Sequence, residues 1–360
     1  MSLKRNHVKV VQLSTGLGVG GAERVVMSLA DEMDKKGYYV NLVTLNNDLS
    51  LVSQYSDVNF KITRLGVKKS FSSIMNGLYK LHLLVKLNNI NVIHAHMFHS
   101  LIFSVIIKLF NPRIKVIFTS HSYGGFGGLR GVLIKLTKRL RAIDVIFAKD
   151  QHLALNSKNT IVIKNSVDVP FSDTNIIRER CLQKGVVFLF LGRLEPPKNP
   201  IAMISHFAKM NNTDSILKIA GDGALKEEIK KAIAAHGLGD RIEMIGVVSD
   251  VPTLLKSVDC LVMPSLWEGL PMAILEAGAH SLPVISTPVG SIPDLLGDKC
   301  GYLAGNDDFS YMLDFVADNL EAAQLCGQRL QNKILRDYSL NRMVSQHVSV
   351  YEEVVGCDFD

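Results

Sequence analysis

The chain has 360 residues, 47% of them hydrophobic and 21% charged, which is typical of a globular protein long enough for two domains. Its five cysteines form no Cys-x-x-Cys pair and no cluster with histidine, so neither a disulfide framework nor a zinc site is indicated, and a reducing cytoplasm is expected. The net charge of +6 is uneven: residues 1–170 carry 23 Lys and Arg against 9 Asp and Glu, and residues 171–360 carry 17 against 25. The basic half is expected to approach an anionic surface.

Strand and helix patterns alternate through the first half, which indicates a parallel sheet in a doubly wound domain. The longest apolar run, residues 101–110, is far shorter than the roughly 20 residues that span a bilayer, so a soluble protein is expected. The predicted elements are, in order, strand 7–14, helix 22–36, strand 38–45, helix 71–88, strand 91–95, helix 98–110, strand 114–119, a glycine-rich loop 120–128, helix 129–141, and strands 143–148 and 160–163.

The alternation stops between residues 165 and 184, where we place an interdomain linker, and a second series then follows. Its predicted elements are strands 185–191, 215–220, 241–245, 259–263 and 282–285, helices 199–210, 224–236 and 251–256, a helix opening at Pro271, and a last helix near 340–355. The sequence therefore predicts two Rossmann-like α/β domains facing each other across a ligand cleft, residues 1–168 and 169–340. A C-terminal helix within residues 341–360 is expected to pack back on the first domain.

A glycine-rich loop joins the first strand to the first helix. Gly16, Gly18 and Gly21 match the GxGxxG pattern of dinucleotide-binding loops. That pattern also requires an acid at the end of the second strand, where the first acid, Asp48, comes too late. An NAD-dependent oxidoreductase is therefore a minor alternative, and the loop is interpreted as a place where an anionic or bulky ligand approaches the backbone, with Glu23 just inside the helix.

Two cations follow the first strand of the second half, on a turn stiffened by two prolines. Arg193 and Lys198 suit a diphosphate, the first as a planar fork and the second as a point charge, although a pair of solvated surface cations remains open. Gly221 follows the next strand at the same sheet edge, either as part of a site or as an ordinary strand-to-helix turn.

A Gly/Pro turn carrying Glu268 precedes the helix predicted to open at Pro271, and Glu276 lies inside that helix. The N–H groups of Gly269 and Leu270, with the positive end of the helix dipole behind them, form an anion site. An anion site flanked by two hydroxyl-binding carboxylates suits a phosphate attached to sugars, whereas a surface helix with two solvated acids is the alternative.

These motifs, taken in order, resemble the retaining glycosyltransferases of family 4, which have the two-domain GT-B fold. The resemblance is carried by Gly20-Gly21-Ala22-Glu23, by Gly192-Arg193 with Lys198, and by Glu268 with Glu276, and Asn165-Ser166-Val167-Asp168 stands at the family's domain joint. It extends over nearly the whole chain.

The resemblance implies a role for each matching residue. Glu276 would hold the ribose of a nucleotide, and Glu268 would accept hydrogen bonds from the donor sugar. The diphosphate would be bound by two cations, Arg193 and Lys198, and the loop of Gly20 and Gly21 would close over the donor or the acceptor. His121 matches a family histidine near the donor sugar, although a histidine at a strand end is more often structural. His94 and His96 are interpreted as packing groups, because no third metal ligand is spaced near them.

The implied chemistry needs no metal and no other cofactor. Fixed cations and helix N–H groups stabilise the negative charge on a leaving diphosphate, and the one Asp-x-Asp match, at 358–360, ends the chain. Two carboxylates also suggest a glycosidase, but cations placed for a diphosphate have no purpose in simple hydrolysis.

The acceptor side is predicted from helix 129–141, where five cations are interleaved with an apolar stripe of Leu129, Val132, Leu133, Leu136 and Leu140. Such a helix can lie on an anionic membrane, or its stripe can pack on the sheet. A nucleic-acid partner is not expected, because no recognition helix or aromatic platform supports one.

The sequence and its resemblance together predict a transferase that moves a hexose or N-acetylhexosamine from a nucleotide sugar, with UDP as the expected nucleotide. The expected acceptor is a lipid-linked glycan or polysaccharide of a bacterial surface, such as lipopolysaccharide, O-antigen or capsule. The expected location is the cytoplasm, peripheral on the inner face of the membrane. A non-catalytic sugar-nucleotide-binding protein is a further alternative.

Overall fold

The computed structural model of the chain describes residues 7–18, 20–55, 58–121, 127–147, 159–167 and 185–356. The chain divides into two compact units, residues 1–166 with 340–360, and residues 167–339. Most of the predicted linker, residues 168–184, lies outside the described residues. Each unit is built on one parallel sheet.

The first unit contains a seven-stranded parallel sheet in the order β3-β2-β1-β4-β5-β6-β7. Its strands are β1 Lys9–Ser14, β2 Tyr39–Thr44, β3 Lys61–Arg64, β4 Val92–His96, β5 Lys115–Thr119, β6 Ile143–Ile146 and β7 Thr160–Val162. Its first helices are α1 Gly21–Lys35, α2 Phe71–Leu87, α3 Phe98–Phe110 and α4 Gly128–Leu136. Short 3-10 helices span Val52–Gln54 and Thr137–Leu140.

The second unit contains a six-stranded parallel sheet in the order β10-β9-β8-β11-β12-β13. Its strands are β8 Val187–Leu191, β9 Ile216–Ala220, β10 Ile242–Gly246, β11 Cys260–Met263, β12 Val284–Ser286 and β13 Tyr302–Leu303. A 3-10 helix spans Pro196–Lys198. The α-helices are α5 Pro200–Ala208, α6 Lys226–Ala235, α7 Val251–Lys256, α8 Met272–Ala279, α9 Ile292–Leu296, α10 Phe309–Asp318 and α11 Leu320–Asp337.

The last helix, α12 (Leu340–Gly356), belongs to the first unit and packs against α1. Successive residues of a strand point to opposite faces of a sheet, and β1 shows the result. Val10 packs into a core with α1 and α12, whereas Val11 packs into a core with α2, α3 and α4. Helices therefore cover both faces of the sheet, as in a doubly wound fold.

The predicted helix 129–141 is wrong at its C-terminal end, because α4 stops at Leu136 and Arg141 enters the core. Arg141 is 5% exposed, its Nε and Nη2 contact the two carboxylate oxygens of Asp144 at 2.6 and 2.9 Å, and its Nη1 donates to the Ile134 carbonyl at 2.6 Å. Arg141 is therefore an internal anchor rather than one of the five surface cations.

Both sheets have a topological switch point, where the strand order reverses. The reversal falls between β1 and β4 in the first sheet and between β8 and β11 in the second. Loops that leave the carboxyl ends of such strand pairs diverge, and the crevice between them is the usual ligand site of an open α/β sheet.

Candidate active site

The switch point of the second unit is built from the loops that follow β8 and β11. The two loops are joined directly, because the Leu266 N–H donates to the Pro197 carbonyl at 2.8 Å. The sequence-predicted residues of this unit stand on these two loops, on the loop after β9, and on α8.

Glu268 and Lys198 form an ion pair that the sequence analysis did not predict. The Lys198 Nζ lies 2.5 Å from Glu268 Oε1, and the side chains are only 20% and 8% exposed. The Ser265 hydroxyl donates to the same Oε1 at 2.8 Å, and no described residue bonds to Oε2. The carboxylate is thus fixed through one oxygen and leaves the other available to accept a hydrogen bond.

The predicted helix start at Pro271 is wrong by one residue. Pro271 has an extended ψ of 115° and caps α8, which begins at Met272, and its carbonyl accepts from the N–H groups of Ile274 and Leu275. The N–H groups of Gly269 and Leu270 donate to no described residue. They are therefore available to an anion at this end of α8.

The Glu268 turn is braced by the loop after β12. Gly290 has a left-handed φ of 57°, and a Cβ there would overlap the Glu268 carbonyl oxygen. Ser291 donates to the Gly269 carbonyl through its N–H at 3.3 Å and its hydroxyl at 2.5 Å. Glu276 lies in the second turn of α8 and is partly buried.

Arg193 and Gly221 lie at the same sheet edge. The Arg193 side chain is exposed and forms no hydrogen bond or ion pair with a described residue, so its guanidinium is available to a ligand. Gly221 has a φ of 140°, and a Cβ at this position would overlap the carbonyl oxygen of Gly192. Glycine is required here because the β9 loop packs directly against the backbone that carries Arg193.

The first unit has a pocket of about 330 Å³ at its own switch point. It is lined by Thr15, Gly16, Gly18, Glu23, Asn46, Asp48, Met97, Phe98, His99, His121 and Arg130. The pocket combines carboxylates, imidazoles and a guanidinium, which are groups that hydrogen-bond sugars and phosphates.

The loop glycines also make room for neighbouring side chains, a role that was not predicted from the sequence. A Cβ on Gly16 would overlap the Asn46 side chain, and a Cβ on Gly20, the residue that caps α1 before Gly21, would overlap the Glu23 carboxylate. The glycines thus admit the protein's own polar side chains to the pocket. Asp48, which comes too late in the sequence for a dinucleotide site, still lines this pocket; hydrogen bonds from the Ser50 hydroxyl and N–H lower its pKa.

Four histidines lie close together beside this pocket, namely His94, His96, His121 and His347, and His121 also lines it. The His96 and His121 rings pair through Nδ1 and Nε2 at 3.1 Å, and the His94 and His347 ring centroids are 5.4 Å apart. Burial lowers the pKa of His94 and His96 well below the usual value, that of His347 to about 4 and that of His121 to about 3.

This cluster could not be predicted from the sequence, because its members come from β4, from the end of β5 and from α12, and only the fold unites them. Within the described ranges, no group of three or more His, Cys, Asp and Glu side chains is arranged to hold a metal ion.

Two families of known proteins match the chain. Glycosyl transferases group 1 matches residues 173–352, and Glycosyltransferase Family 4 matches residues 19–168. These matches give no support to the NAD-dependent oxidoreductase alternative.

Individual relatives match the chain over most of its length. An Escherichia coli UDP-Gal:alpha-D-GlcNAc-diphosphoundecaprenol alpha-1,3-galactosyltransferase is 25% identical over 98% of this chain and 97% of its own. An O-antigen biosynthesis glycosyltransferase of Escherichia coli is 27% identical over 81% of this chain and 83% of its own. Among solved structures, Anabaena HepE in complex with UDP superposes with a TM-score of 0.83 at 17% identity, over 96% of this chain and 100% of that chain.

Proposed function

The chain belongs to the glycosyl transferases of group 1, and from this membership and the site geometry we propose that it is a retaining, metal-independent transferase of a UDP-linked hexose or N-acetylhexosamine. The observation that carries the proposal is the Lys198–Glu268 ion pair at the switch point of the second unit, with the exposed Arg193 on the same loop as Lys198. UDP appears in the name of the galactosyltransferase relative and in the HepE complex, which supports it as the nucleotide.

The two oxygens of the Glu268 carboxylate have different partners when the donor is bound. Oε1 is occupied by Lys198 and Ser265, so Oε2 accepts a hydroxyl of the donor sugar. A lysine ammonium has three N–H donors, and one of them binds Glu268. The other two neutralise the diphosphate together with Arg193.

Charge develops on the diphosphate as the sugar–phosphate bond breaks. Preorganised donors are worth about 2.7–4 kcal/mol each at a developing anion, because they need no reorganisation during the reaction. The Arg193 guanidinium and the free N–H groups of Gly269 and Leu270 are such donors. With this set in place no divalent metal is needed, and Glu276 on α8 holds the ribose.

The acceptor is proposed to be a lipid-diphosphate-linked glycan of the bacterial surface, bound in the pocket of the first unit. Glu23 and Asp48 accept hydrogen bonds from its hydroxyls. Arg130, whose Cζ lies 5.7 Å from the Phe98 ring centroid, supplies a cation for the diphosphate. The galactosyltransferase relative, which is named for a GlcNAc-diphosphoundecaprenol acceptor, supports this class.

The basic first unit is proposed to rest on an anionic membrane. No acidic residue occurs between Asp57 and Asp144, whereas that stretch contains 14 Lys and Arg. None of the described helices combines the length and hydrophobicity of a membrane span. Attachment would be peripheral, with each cation near the surface contributing about 1 kcal/mol.

Exposed apolar side chains accompany these cations on α2, on α4 and at the end of α3, and α3 contacts α2 and the 3-10 helix after α4. Three residues of the predicted stripe, Leu129, Val132 and Leu136, face solvent, whereas Leu133 is half-buried and Leu140 packs against the core. The most exposed side chains are Phe71 at 80%, Leu87 at 77%, Leu129 at 74%, Phe110 at 72% and Leu136 at 71%. An amphipathic surface of this kind inserts between lipid headgroups.

Vesicle binding tests the membrane proposal. The chain should bind vesicles containing phosphatidylglycerol and leave purely zwitterionic vesicles unbound. The triple variant Phe71→Ser, Leu129→Ser and Leu136→Ser should bind about tenfold more weakly or worse, because each buried leucine contributes about 1.5–3 kcal/mol when fully inserted. Leu325→Ser on α11, also exposed, is the matched control and should bind normally. Equal binding to both lipids would reject the proposal.

A donor panel tests the enzymatic proposal. UDP-, GDP- and ADP-linked sugars are incubated with a GlcNAc-diphospholipid acceptor, with and without EDTA, and nucleotide release and the anomeric configuration of the product are measured. Release from UDP-sugars that depends on acceptor, gives the α-product from an α-donor and survives EDTA is expected. Strict metal dependence or an inverted product would refute the corresponding part.

A further inference from the structure

A continuous hydrogen-bonded chain connects α12 to His121 through the core of the first unit. The Tyr351 hydroxyl contacts Gln12 Nε2 at 3.0 Å, Gln12 Oε1 contacts His96 Nε2 at 2.8 Å, and His96 Nδ1 contacts His121 Nε2 at 3.1 Å. Gln12 is fully buried and His96 is 1% exposed. Water therefore does not compete for the bonds that Gln12 makes to Tyr351 and His96.

The orientation of the Gln12 amide is set by a sulfur atom. Its Nε2 lies 3.6 Å from the Met33 Sδ, which can only accept a hydrogen bond. Reversing the amide would place the Oε1 lone pairs against the sulfur, so the nitrogen faces Met33 and Tyr351. The oxygen consequently faces His96.

The protonation of each ring follows in sequence. Gln12 Oε1 only accepts, so His96 carries its hydrogen on Nε2 and its Nδ1 accepts from His121. His121 in turn must carry its hydrogen on Nε2. Each ring has only one N–H because burial holds the pKa of His96 far below its usual value and that of His121 at about 3.

We propose that Gln12 and His96 are positioning residues that fix His121 as the Nε2-protonated tautomer, so that its Nδ1 accepts a hydrogen bond from a sugar hydroxyl in the pocket of the first unit. His121 lines that pocket, and its Nδ1 is bonded to no described residue. A neutral ring of this kind accepts a hydroxyl at physiological pH and does not act as an acid toward the leaving diphosphate. The proposal rests on the proposed function for the identity of the ligand as a sugar.

Tyr351 completes the arrangement from α12. Its hydroxyl accepts from Gln12, so its own hydrogen goes to His94 Nδ1 at 2.6 Å, and His94 Nε2 donates to the Thr119 hydroxyl at 2.6 Å. Thr119 ends β5, two residues before His121. The same relay therefore orients the His121 ring and holds the strand end that carries it.

Nitrogen NMR of the full-length protein, labelled with ¹⁵N-histidine, tests the relay directly. Long-range proton–nitrogen spectra distinguish a protonated ring nitrogen from a bare one, and loss of one set of signals in His121→Gln assigns that ring. The expected result is a bare Nδ1 and a protonated Nε2 for His121 at pH 7 without any substrate. A protonated Nδ1 on His121 would overturn the proposal, whatever the variants do.

Gln12→Leu removes the acceptor that sets the relay. It should allow the opposite tautomer of His121 and lower kcat/KM for the acceptor glycan, which is proposed to occupy this pocket, by about 3- to 10-fold, the effect of one lost hydrogen bond. Asn41→Leu is the matched control, since Asn41 is an equally buried amide in the same sheet with no bond to the histidines. The control should keep the His121 tautomer and the wild-type kcat/KM.

An unchanged His121 tautomer in folded Gln12→Leu would reject the relay. The spectra require no turnover, so the two proposals fail separately. A chain that shows the expected tautomer but transfers no sugar would contradict the proposed function alone.

Discussion

The ion pair between Lys198 and Glu268 makes the strongest stability prediction. The perturbation is Lys198→Met, which keeps most of the side-chain volume and removes the charge. The pair has a separation of 2.5 Å with side chains 20% and 8% exposed. Lys230 and Glu227 form a matched pair at 2.8 Å, with side chains 54% and 73% exposed.

The magnitude follows from burial. Removing one partner of a fully buried pair costs about 3–5 kcal/mol, whereas an exposed pair contributes about 0–1 kcal/mol. Lys198 keeps a fifth of its side chain in water, and Ser265 still donates to Glu268, so we expect about 2 kcal/mol, between these limits. For a unit of this size that loss lowers the Tm by about 4–8 °C. Lys230→Met should cost less than about 0.5 kcal/mol.

The assay uses Trp267, the chain's only tryptophan, which precedes Glu268 and reports unfolding of this unit by fluorescence. Combining Lys198→Met with Glu268→Ala, which removes both carboxylate oxygens, closes a double-mutant cycle, in which we expect a coupling of at least about 1 kcal/mol. The reasoning is refuted if Lys198→Met is no more destabilising than Lys230→Met, or if the coupling is zero.

Three further predictions address the turns, the cations and the buried histidines. Gly221→Ala should lower the free energy of unfolding by at least about 2 kcal/mol, because its φ is left-handed and the new Cβ would overlap Gly192. Gly237→Ala is the control: its φ is 64° but the space around it is open, so it should cost only about 1 kcal/mol. Equal costs in denaturant unfolding would contradict the packing argument. Arg193→Gln should change the free energy of unfolding by less than about 0.5 kcal/mol yet weaken UDP binding about 10- to 100-fold. Unchanged UDP binding would show that Arg193 does not bind the nucleotide. The buried histidines have lowered pKa values and are neutral in the folded state, so the unfolded chain binds more protons below about pH 6.5 and stability should fall toward pH 4, by up to about 1.4 kcal/mol per pH unit for each ring. His347→Gln should reduce the slope of unfolding free energy against pH by the contribution of one proton, about 1.4 kcal/mol per pH unit. An unfolding free energy that does not depend on pH would contradict the burial of these histidines.

Much of the fold could be predicted from local signals. Alternating apolar runs located most strands of both sheets, because parallel strands are short and hydrophobic and are separated by helix-length segments. The edge strands β3 and β13 were not predicted, because Lys61–Arg64 carries a cation at each end and Tyr302–Leu303 is only two residues long. Further errors lie at helix ends. Pro271 has a helical φ and an extended ψ, which the sequence cannot distinguish. The end of α4 is set by a bond from Arg141 to Asp144, which exists only after folding.

The site was predictable in part. The positions of Arg193, Lys198 and Glu268 after the strands β8 and β11 follow from strand order, since carboxyl ends of parallel strands share one edge. Their pairing does not follow, because it depends on the direction of side chains from loops 70 residues apart. The approach of Asp48 to the glycine loop was missed for the same reason: distance along the chain does not measure distance across a folded loop.

The central claim is that the Glu268 turn acts on the sugar of a nucleotide-sugar donor. Glu268→Gln keeps an oxygen for Lys198 and Ser265 but replaces the carboxylate oxygen proposed to hold the sugar. UDP affinity, followed by Trp267 fluorescence, and acceptor-dependent transfer from the UDP-sugar are measured on the same variant. We predict a UDP affinity within about threefold of wild type and transfer reduced at least about 100-fold. Undiminished transfer, or an equal loss of UDP binding and transfer, would contradict the claim.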